Sequence, residues 1–255
     1  MTHTARKPGD FCWINMVTTE PDKARDFFAK VLGWTYAEIP GMGHKIVVGG
    51  HDVGGLFDVV SPRTPNGGPS YIGVMIKTAD AAATCAFGNS LGGQFSDPWP
   101  IGANMKMALG GDCNGGRFDL FEPVTAQGTD CDSRAHGAPS WFETLTTDVA
   151  KAREFYTKLF GWTAKVSQVA GGDYTEFSLD GVPIAGMMAL TPEMGTDKPH
   201  WGVYFTVTNV DETVALVKSL GGDVCVPAMD IPGVGRFCGA TSPQGVVFYA
   251  ITYTG

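Results

Sequence analysis

Apolar and polar residues alternate, then switch to a three-and-four spacing, in the same order twice along this chain. In Trp13 to Trp34, WINMVTTEPDKARDFFAKVLGW, a period of two gives way to Ala24, Phe27, Phe28 and Val31 at i, i+3, i+4 and i+7. In Trp141 to Trp162, WFETLTTDVAKAREFYTKLFGW, Ala152, Phe155, Tyr156 and Leu159 repeat that stripe. The first period predicts a half-buried strand and the second an amphipathic helix. Asp148 is placed to cap its helix, and Glu20 holds the same place before Pro21. Gly33 and Gly161 are placed to end the helices. Aligned without gaps, the two stretches share 10 of 22 positions, where chance gives about one or two. Their separation of 128 residues marks a duplicated domain rather than a solenoid unit.

The rest of each half follows one plan. After helix 21–32, strands are predicted near 34–39, 44–49 and 53–59, then 71–77. Helix 80–91 and strands near 94–97, 104–109 and 117–122 close the first half. After helix 149–160, strands are predicted near 162–168, 174–179, 182–190 and 201–207. Helix 211–220 and strands near 223–226, 235–240 and 246–252 complete the second. KSLGGDVCVP at 218–227 echoes NSLGGQFSDP at 89–98, so each half is itself a tandem of β-α-β-β-β units. The domains are read as 10–123 and 138–253, joined by a linker at 124–137; shorter linkers fall at 61–69 and 191–199, and residues 1–9 read as a loose tail. So many strands per helix exclude a doubly wound α/β fold. They predict α+β, with helices on one face of curved antiparallel sheets.

Composition narrows the partners. A net charge of −8 and a pI near 5.0 exclude nucleic acid and anionic membrane, which require a basic face. No apolar run approaches the roughly 18 residues that span a bilayer. The opening residues, MTHTARKPGD, hold no apolar core of a leader, so a cytoplasmic protein is expected. The six cysteines contain no CxxC and read as reduced thiols, with Cys12, Cys85 and Cys225 in apolar contexts. The 35 glycines form no phosphate loop and read as turn punctuation.

The run T-D/E-x-x-x-A-x-x-F-[FY]-x-x-x-x-G-W at each domain start, the S-P-Q-G-x-x-F close at 242–248 and the four β-α-β-β-β units resemble the vicinal oxygen chelate superfamily. That is the glyoxalase, bleomycin-resistance and extradiol-dioxygenase group; the nearest resemblance is to its tandem two-domain bacterial members. The resemblance covers about 10–123 and 138–253. It implies two eight-stranded cups, each made from two units, with metal ligands at inward strand positions. Transferred one at a time, those positions fall on Trp13 and Trp141 in the first strands, and on Tyr71 and Gly202 at the start of the second units. They fall near Leu56 or Met187 in the fourth strands, and on Asp119 and Tyr249 in the last. Neither domain keeps two histidines and a carboxylate, so no metal and no other cofactor is expected.

Glu143 and Asn15 stand two residues beyond the tryptophans on the same strand face. Glu143 is the candidate acid–base group, with His200 beside it, or else a paired or rim carboxylate. Burial beside Trp141 should raise its pKa. Trp141, Tyr204, Tyr249, Trp13, Asn15, Tyr71 and Asp119 are candidate substrate contacts, the tryptophans equally explained as core. Arg236 either clamps a ligand carboxylate or holds Asp230. His3, His44, His51 and His136 read as solvated. The resemblance thus implies a small, partly apolar organic ligand, and the asymmetry between Asn15 and Glu143, with His200, Tyr204, Tyr249 and Arg236 in the second half, makes the second cup the expected working site. It leaves open a metal-free enzyme of glyoxalase or dioxygenase kind and a sequestering protein of bleomycin-resistance kind, as monomer or homodimer.

Overall fold

The structure, a computed structural model, describes residues 6–60, 67–123, 131–169, 172–194 and 196–254. In the first half β1 (Phe11–Thr18), α1 (Pro21–Leu32), β2 (Thr35–Ile39), β3 (Gly43–Val48) and β4 (His51–Asp58) make one unit. β5 (Tyr71–Lys77), α2 (Ala81–Ser90), β6 (Gln94–Phe95), β7 (Trp99–Ile101), β8 (Met105–Gly111) and β9 (Arg117–Pro123) make the next. The second half repeats this as β10 (Pro139–Thr146), α3 (Val149–Phe160), β11 (Thr163–Val169), β12 (Gly172–Leu179) and β13 (Val182–Ala189). It ends with β14 (His200–Thr206), α4 (Val210–Ser219), β15 (Asp223–Ile231), β16 (Gly235–Thr241) and β17 (Val247–Tyr253).

Each half forms one curled sheet with matching strand order, β2-β3-β4-β1-β5-β9-β8-β6 and β11-β12-β13-β10-β14-β17-β16-β15. The predicted α+β architecture of two cups holds. The sheets are mixed rather than antiparallel throughout, because β1–β4, β5–β9 and their counterparts β10–β13, β14–β17 run parallel. A strand reached by way of a helix comes back in the same direction. Two further departures are β7, which adds a short strand against β8, and β15, which runs to Ile231 rather than ending near 226.

One of the two expected helix caps forms. Asp148 accepts from Lys151 N at 3.0 Å, while Glu20 makes no side-chain cap and pairs with Lys23 instead. Gly33 and Gly161 end α1 and α3 in the left-handed region, at φ 65° and 70°. No described helix is long and apolar enough to cross a membrane.

The two halves share one core. Phe11 of β1 stacks on Phe142 of β10 at 4.0 Å between centroids. Phe28 of α1 meets Phe248 of β17, and Tyr156 of α3 meets Phe118 of β9. Each helix therefore packs against the other half as well as its own. The Tyr156 hydroxyl donates to buried Asp112 at 2.7 Å and accepts from Trp201 Nε1, so these three buried polar groups are paired.

The ends of the domains are tighter than expected. Gly9 lies buried, not in a loose tail. Residues 124–130 of the linker lie outside the described residues; in its remainder Cys131 and Gly137 are buried, as is Ala138 beyond it. All six cysteines are free. Cys12 and Cys85 are buried, but Cys225 is exposed because β15 is an edge strand.

Candidate functional site

β10 runs through the middle of the second sheet, between β13 and β14. Phe142 turns to the shared core and Thr144 is fully buried, so Trp141 and Glu143 face the other way, into the cup. Glu143 is in register with Gly186 on one side and Gly202 on the other. Both glycines create room. A Cβ at Gly186 would overlap the Tyr174 hydroxyl, and one at Gly202 would come within 2.6 Å of the Tyr249 ring.

Into that room come two phenols. Tyr204 donates to Glu143 Oε1 at 3.0 Å and Tyr174 to Oε2 at 3.1 Å. Trp141 Nε1 donates in turn to the Tyr174 hydroxyl at 3.0 Å. Tyr249 stacks on Tyr204, with centroids 4.7 Å apart and planes 16° from parallel; Phe237 tilts against Tyr204 at 5.9 Å. Burial raises the carboxyl of Glu143, while the bonds from Tyr204 and Tyr174 pull it back. Burial first and the Glu143 charge second raise both phenols, so they stay protonated donors. Tyr249 is pushed up to about 12 by the same two causes, and its hydroxyl has no hydrogen-bond partner among the described residues.

The first cup carries a different lining. Trp13 Nε1 donates to Asn15 Oδ1 at 3.1 Å, and Asn15 Nδ2 contacts Met75 Sδ at 3.3 Å. Cys12, Met75 and Phe121 are buried in a cluster with Trp13, Met105 and Met107, separate from the main core. Asp119 is in register with Met75 and Leu109; burial pushes its carboxyl up to about 7, against a hydrogen bond from Gly110. Tyr71 is about half exposed, its phenol raised by burial and then by the Asp119 charge.

Of the sequence candidates, Trp141, Glu143, Tyr204 and Tyr249 come together in the second cup; Trp13, Asn15, Tyr71 and Asp119 lie in the first. His200 stands at the start of β14, opposite Leu145, its Nδ1 donating to the Lys198 carbonyl at 2.9 Å; it makes no bond to the Glu143 network. Arg236 is not brought to the cup. Its guanidinium grips Asp211 of α4 at 2.9 and 3.0 Å and Asp230 at 3.1 Å, on the helix side of the sheet. Leu56 and Met187 also face the helices, fully buried, so the fourth-strand position belongs one residue earlier, at Gly55 and Gly186. His44 is half-buried against Arg25 at 2.9 Å, so it is not simply solvated, while His136 is exposed and meets Thr208 at 3.2 Å. His51 is exposed, and His3 lies outside the described residues. Tyr174, Phe237 and Gly186 are absent from the sequence candidates.

The family resemblance raises a divalent metal. Among the described residues no three His, Cys, Asp or Glu side chains converge. In the second cup the transferred ligand positions hold Trp141, Gly186, Gly202 and Tyr249, and both oxygens of the single carboxylate already accept phenols. This donor set does not fit a divalent ion, which needs three or four convergent N, O or S ligands.

Residues 139–248 match the Glyoxalase/Bleomycin resistance protein/Dioxygenase superfamily. The chain is 29% identical over 243 residues to a candidate glyoxylase, CFP32, of Mycobacterium tuberculosis, covering 92% of each. It is 37% identical over 127 residues to the anthracycline biosynthesis protein DauV of Streptomyces sp. strain C5, covering 45% of this chain and 46% of that one. Its fold matches the 2,3-dioxygenase LapB of Pseudomonas sp. KL28 with a TM-score of 0.66 at 14% identity, over 100% of this chain and 94% of that one.

Proposed function

We propose that this chain, which belongs to the glyoxalase, bleomycin-resistance and dioxygenase superfamily, binds a small aromatic molecule bearing a hydroxyl or other hydrogen-bond donor in its second cup. Glu143 is the group that receives that donor. One observation carries the reading: the cup holds a carboxylate already fixed by two phenols, among aromatic walls. Each carboxylate oxygen has accepted one bond and keeps a lone pair. The Tyr174 and Tyr204 protons are spent on Glu143. The cup therefore offers acceptors at Glu143 and one uncommitted donor at Tyr249 to a ligand lying among Trp141, Phe237 and the tyrosines. A mostly apolar pocket with a few convergent polar groups suits such a ligand.

The raised carboxyl also makes Glu143 a better proton acceptor than an exposed glutamate. The proton on the ligand's donor atom passes to a free lone pair of Glu143, while Tyr204 and Tyr174 hold the carboxylate in place. This chemistry uses the chain's own residues and no metal. The similarity to an anthracycline biosynthesis protein agrees with an aromatic ligand, since anthracyclines are fused-ring aromatic molecules. The misfit of the donor set to a metal favours a second reading, sequestration without turnover.

Naphthol and its methyl ether test the reading. Titrated against Trp141 fluorescence, naphthol should bind about tenfold or more tightly than the ether, because the ether leaves the buried acceptor without its donor. Equal affinities would refute the assignment of Glu143. Mass spectrometry of the recovered ligand separates turnover from sequestration.

A further inference from the structure

Two clefts lie outside the cups, and they are related by the internal repeat. One, of about 550 Å³, opens where the chain entering β10 crosses the ends of β14 and β17. The other, of about 270 Å³, lies where the chain entering β1 crosses the end of β5. The 128-residue offset makes Arg134 the counterpart of Arg6, and Gly137 that of Gly9. Register makes Thr206 the counterpart of Lys77 and Thr252 that of Glu122.

The two clefts differ in charge. The narrow one is closed by its own residues: Lys77 Nζ donates to the Arg6 carbonyl at 2.6 Å, and Asp80 lines the wall. Nearby, Glu122 neutralises Lys106. In the wide cleft threonines stand where that lysine and glutamate would be, and among the described residues no carboxylate lines it. Thr206, Thr252 and Thr254 each turn their hydroxyl to a backbone carbonyl, at 2.7, 2.9 and 3.1 Å. Arg134 is left as the cation of the site. Its guanidinium lies over the Tyr253 ring, 3.6 Å from the centroid, and it has no ion pair among the described residues. Stacking occupies the face of a guanidinium and leaves its N–H edge open, the edge that takes a carboxylate or phosphate two bonds at a time. The volume is that of a small-molecule site. The carboxylate of Asp132 accepts from the backbone N–H of Arg134 at 2.9 Å and makes no ion pair with its guanidinium; an arginine without one in a cleft stands out in a chain of net charge −8.

We propose that this cleft is a second ligand site, separate from the cup, that takes a small organic anion. Its carboxylate or phosphate lies on the edge of Arg134, and its apolar body lies along Tyr253.

Calorimetric titration of the full chain with benzoate, phenyl phosphate and inorganic phosphate, at low salt, tests it. At least one of the two organic anions should bind saturably at a single site. Benzoate alone would identify a carboxylate, and phenyl phosphate alone a phosphate ester. Arg134→Gln should weaken binding about tenfold or more, and Arg134→Lys should weaken it less, since an ammonium keeps the charge but not the paired bonds. Glu143→Gln should leave it unchanged. Arg134 is exposed, so melting curves of its variants should match the parent and show that the fold is intact. No saturable heat into the millimolar range, or binding indifferent to Arg134→Gln, would overturn the proposal. Binding lost in Glu143→Gln and kept in Arg134→Gln would overturn it too, by placing the anion in the cup. Inorganic phosphate binding as tightly as phenyl phosphate would remove the apolar half of the site.

Discussion

Trp34 and Trp162 make the same bond in opposite directions across the molecule. Trp34 Nε1 donates to the carbonyl of Gly137 at 2.8 Å, and Trp162 Nε1 to that of Gly9 at 3.0 Å. Both glycines are left-handed, at φ 81° and 92°, and both donate their own N–H to the end of a central strand, to Thr206 and Lys77. Both tryptophans are 2% exposed. Each half thus closes on the chain that leads into the other.

Removing one of these bonds should destabilise the whole chain. Trp162→Phe leaves the Gly9 carbonyl buried without its donor and a void beside Phe177 and Tyr156. The expected loss is roughly 2–4 kcal/mol. Urea unfolding should show it as one transition shifted to lower denaturant, because the halves share a core. Two separated transitions would contradict the interlocked packing.

Asp119 should make stability pH-dependent in an unusual direction. Its carboxyl is pushed up to about 7 by burial, from about 4 in the unfolded chain. Between those values the folded state holds a proton that the unfolded state has lost, so stability falls as pH rises. The contribution is fully present below about pH 4 and gone above about pH 7. Asp119→Asn removes the titration while keeping the shape. It should raise stability by roughly 1–3 kcal/mol at about pH 8 and change little at about pH 4. Chemical denaturation at the two pH values measures this; a variant that tracked the parent at both would show that Asp119 is not the group.

The duplicated strand–helix run shows how far pattern reading reaches. Ala152, Phe155 and Tyr156 are buried where the helical stripe puts them, and Asp148 caps where it should. Trp141 and Glu143 face the cup because alternation along one strand is a local property. What depends on register between distant strands was not legible. Leu56 and Met187 miss the cup by one residue, and a one-residue slip exchanges the faces of a strand. Tyr174 reaches Glu143 only because Gly186 lies beside it, and no local pattern pairs residues 143, 174 and 186. A signal was present: Gly186 and Gly202 interrupt otherwise apolar strands, and glycine inside a strand often marks close approach. Arg236 was pulled to the helix side by Asp211, a contact set by the packing of α4.

Glu143→Gln and Asn15→Asp should separate the two cups. The glutamine keeps the size of Glu143 but turns one acceptor into a donor, facing a phenol that must then rotate away. Naphthol affinity should fall about tenfold or more, with little change in melting. Asn15→Asp sits where the first cup binds Trp13 and Met75 and should leave naphthol affinity unchanged. If both substitutions weaken binding alike, the second cup is not the ligand site.

Gly186→Ala should act on the ligand through Tyr174. Gly186 has no left-handed backbone requirement, so alanine is allowed by φ and opposed only by what its Cβ meets. That Cβ would overlap the Tyr174 hydroxyl and lie 3.2 Å from Trp141 Nε1. Tyr174 must move, and Trp141 loses its acceptor as Glu143 loses one of its donors. Overpacking of this kind costs roughly 1–3 kcal/mol. Tyr174→Phe removes the same hydroxyl without the added methyl. Both changes should weaken naphthol binding by a similar factor, since both free one oxygen of Glu143 to swing. Combined, they should do no more than either alone, because the hydroxyl can be lost only once. Gly55→Ala is the control: its Cβ would meet the Phe57 ring in the first cup, so it should lower stability and leave binding intact. Additive losses from Gly186→Ala and Tyr174→Phe would show that the glycine acts by some route other than the Tyr174–Glu143 bond.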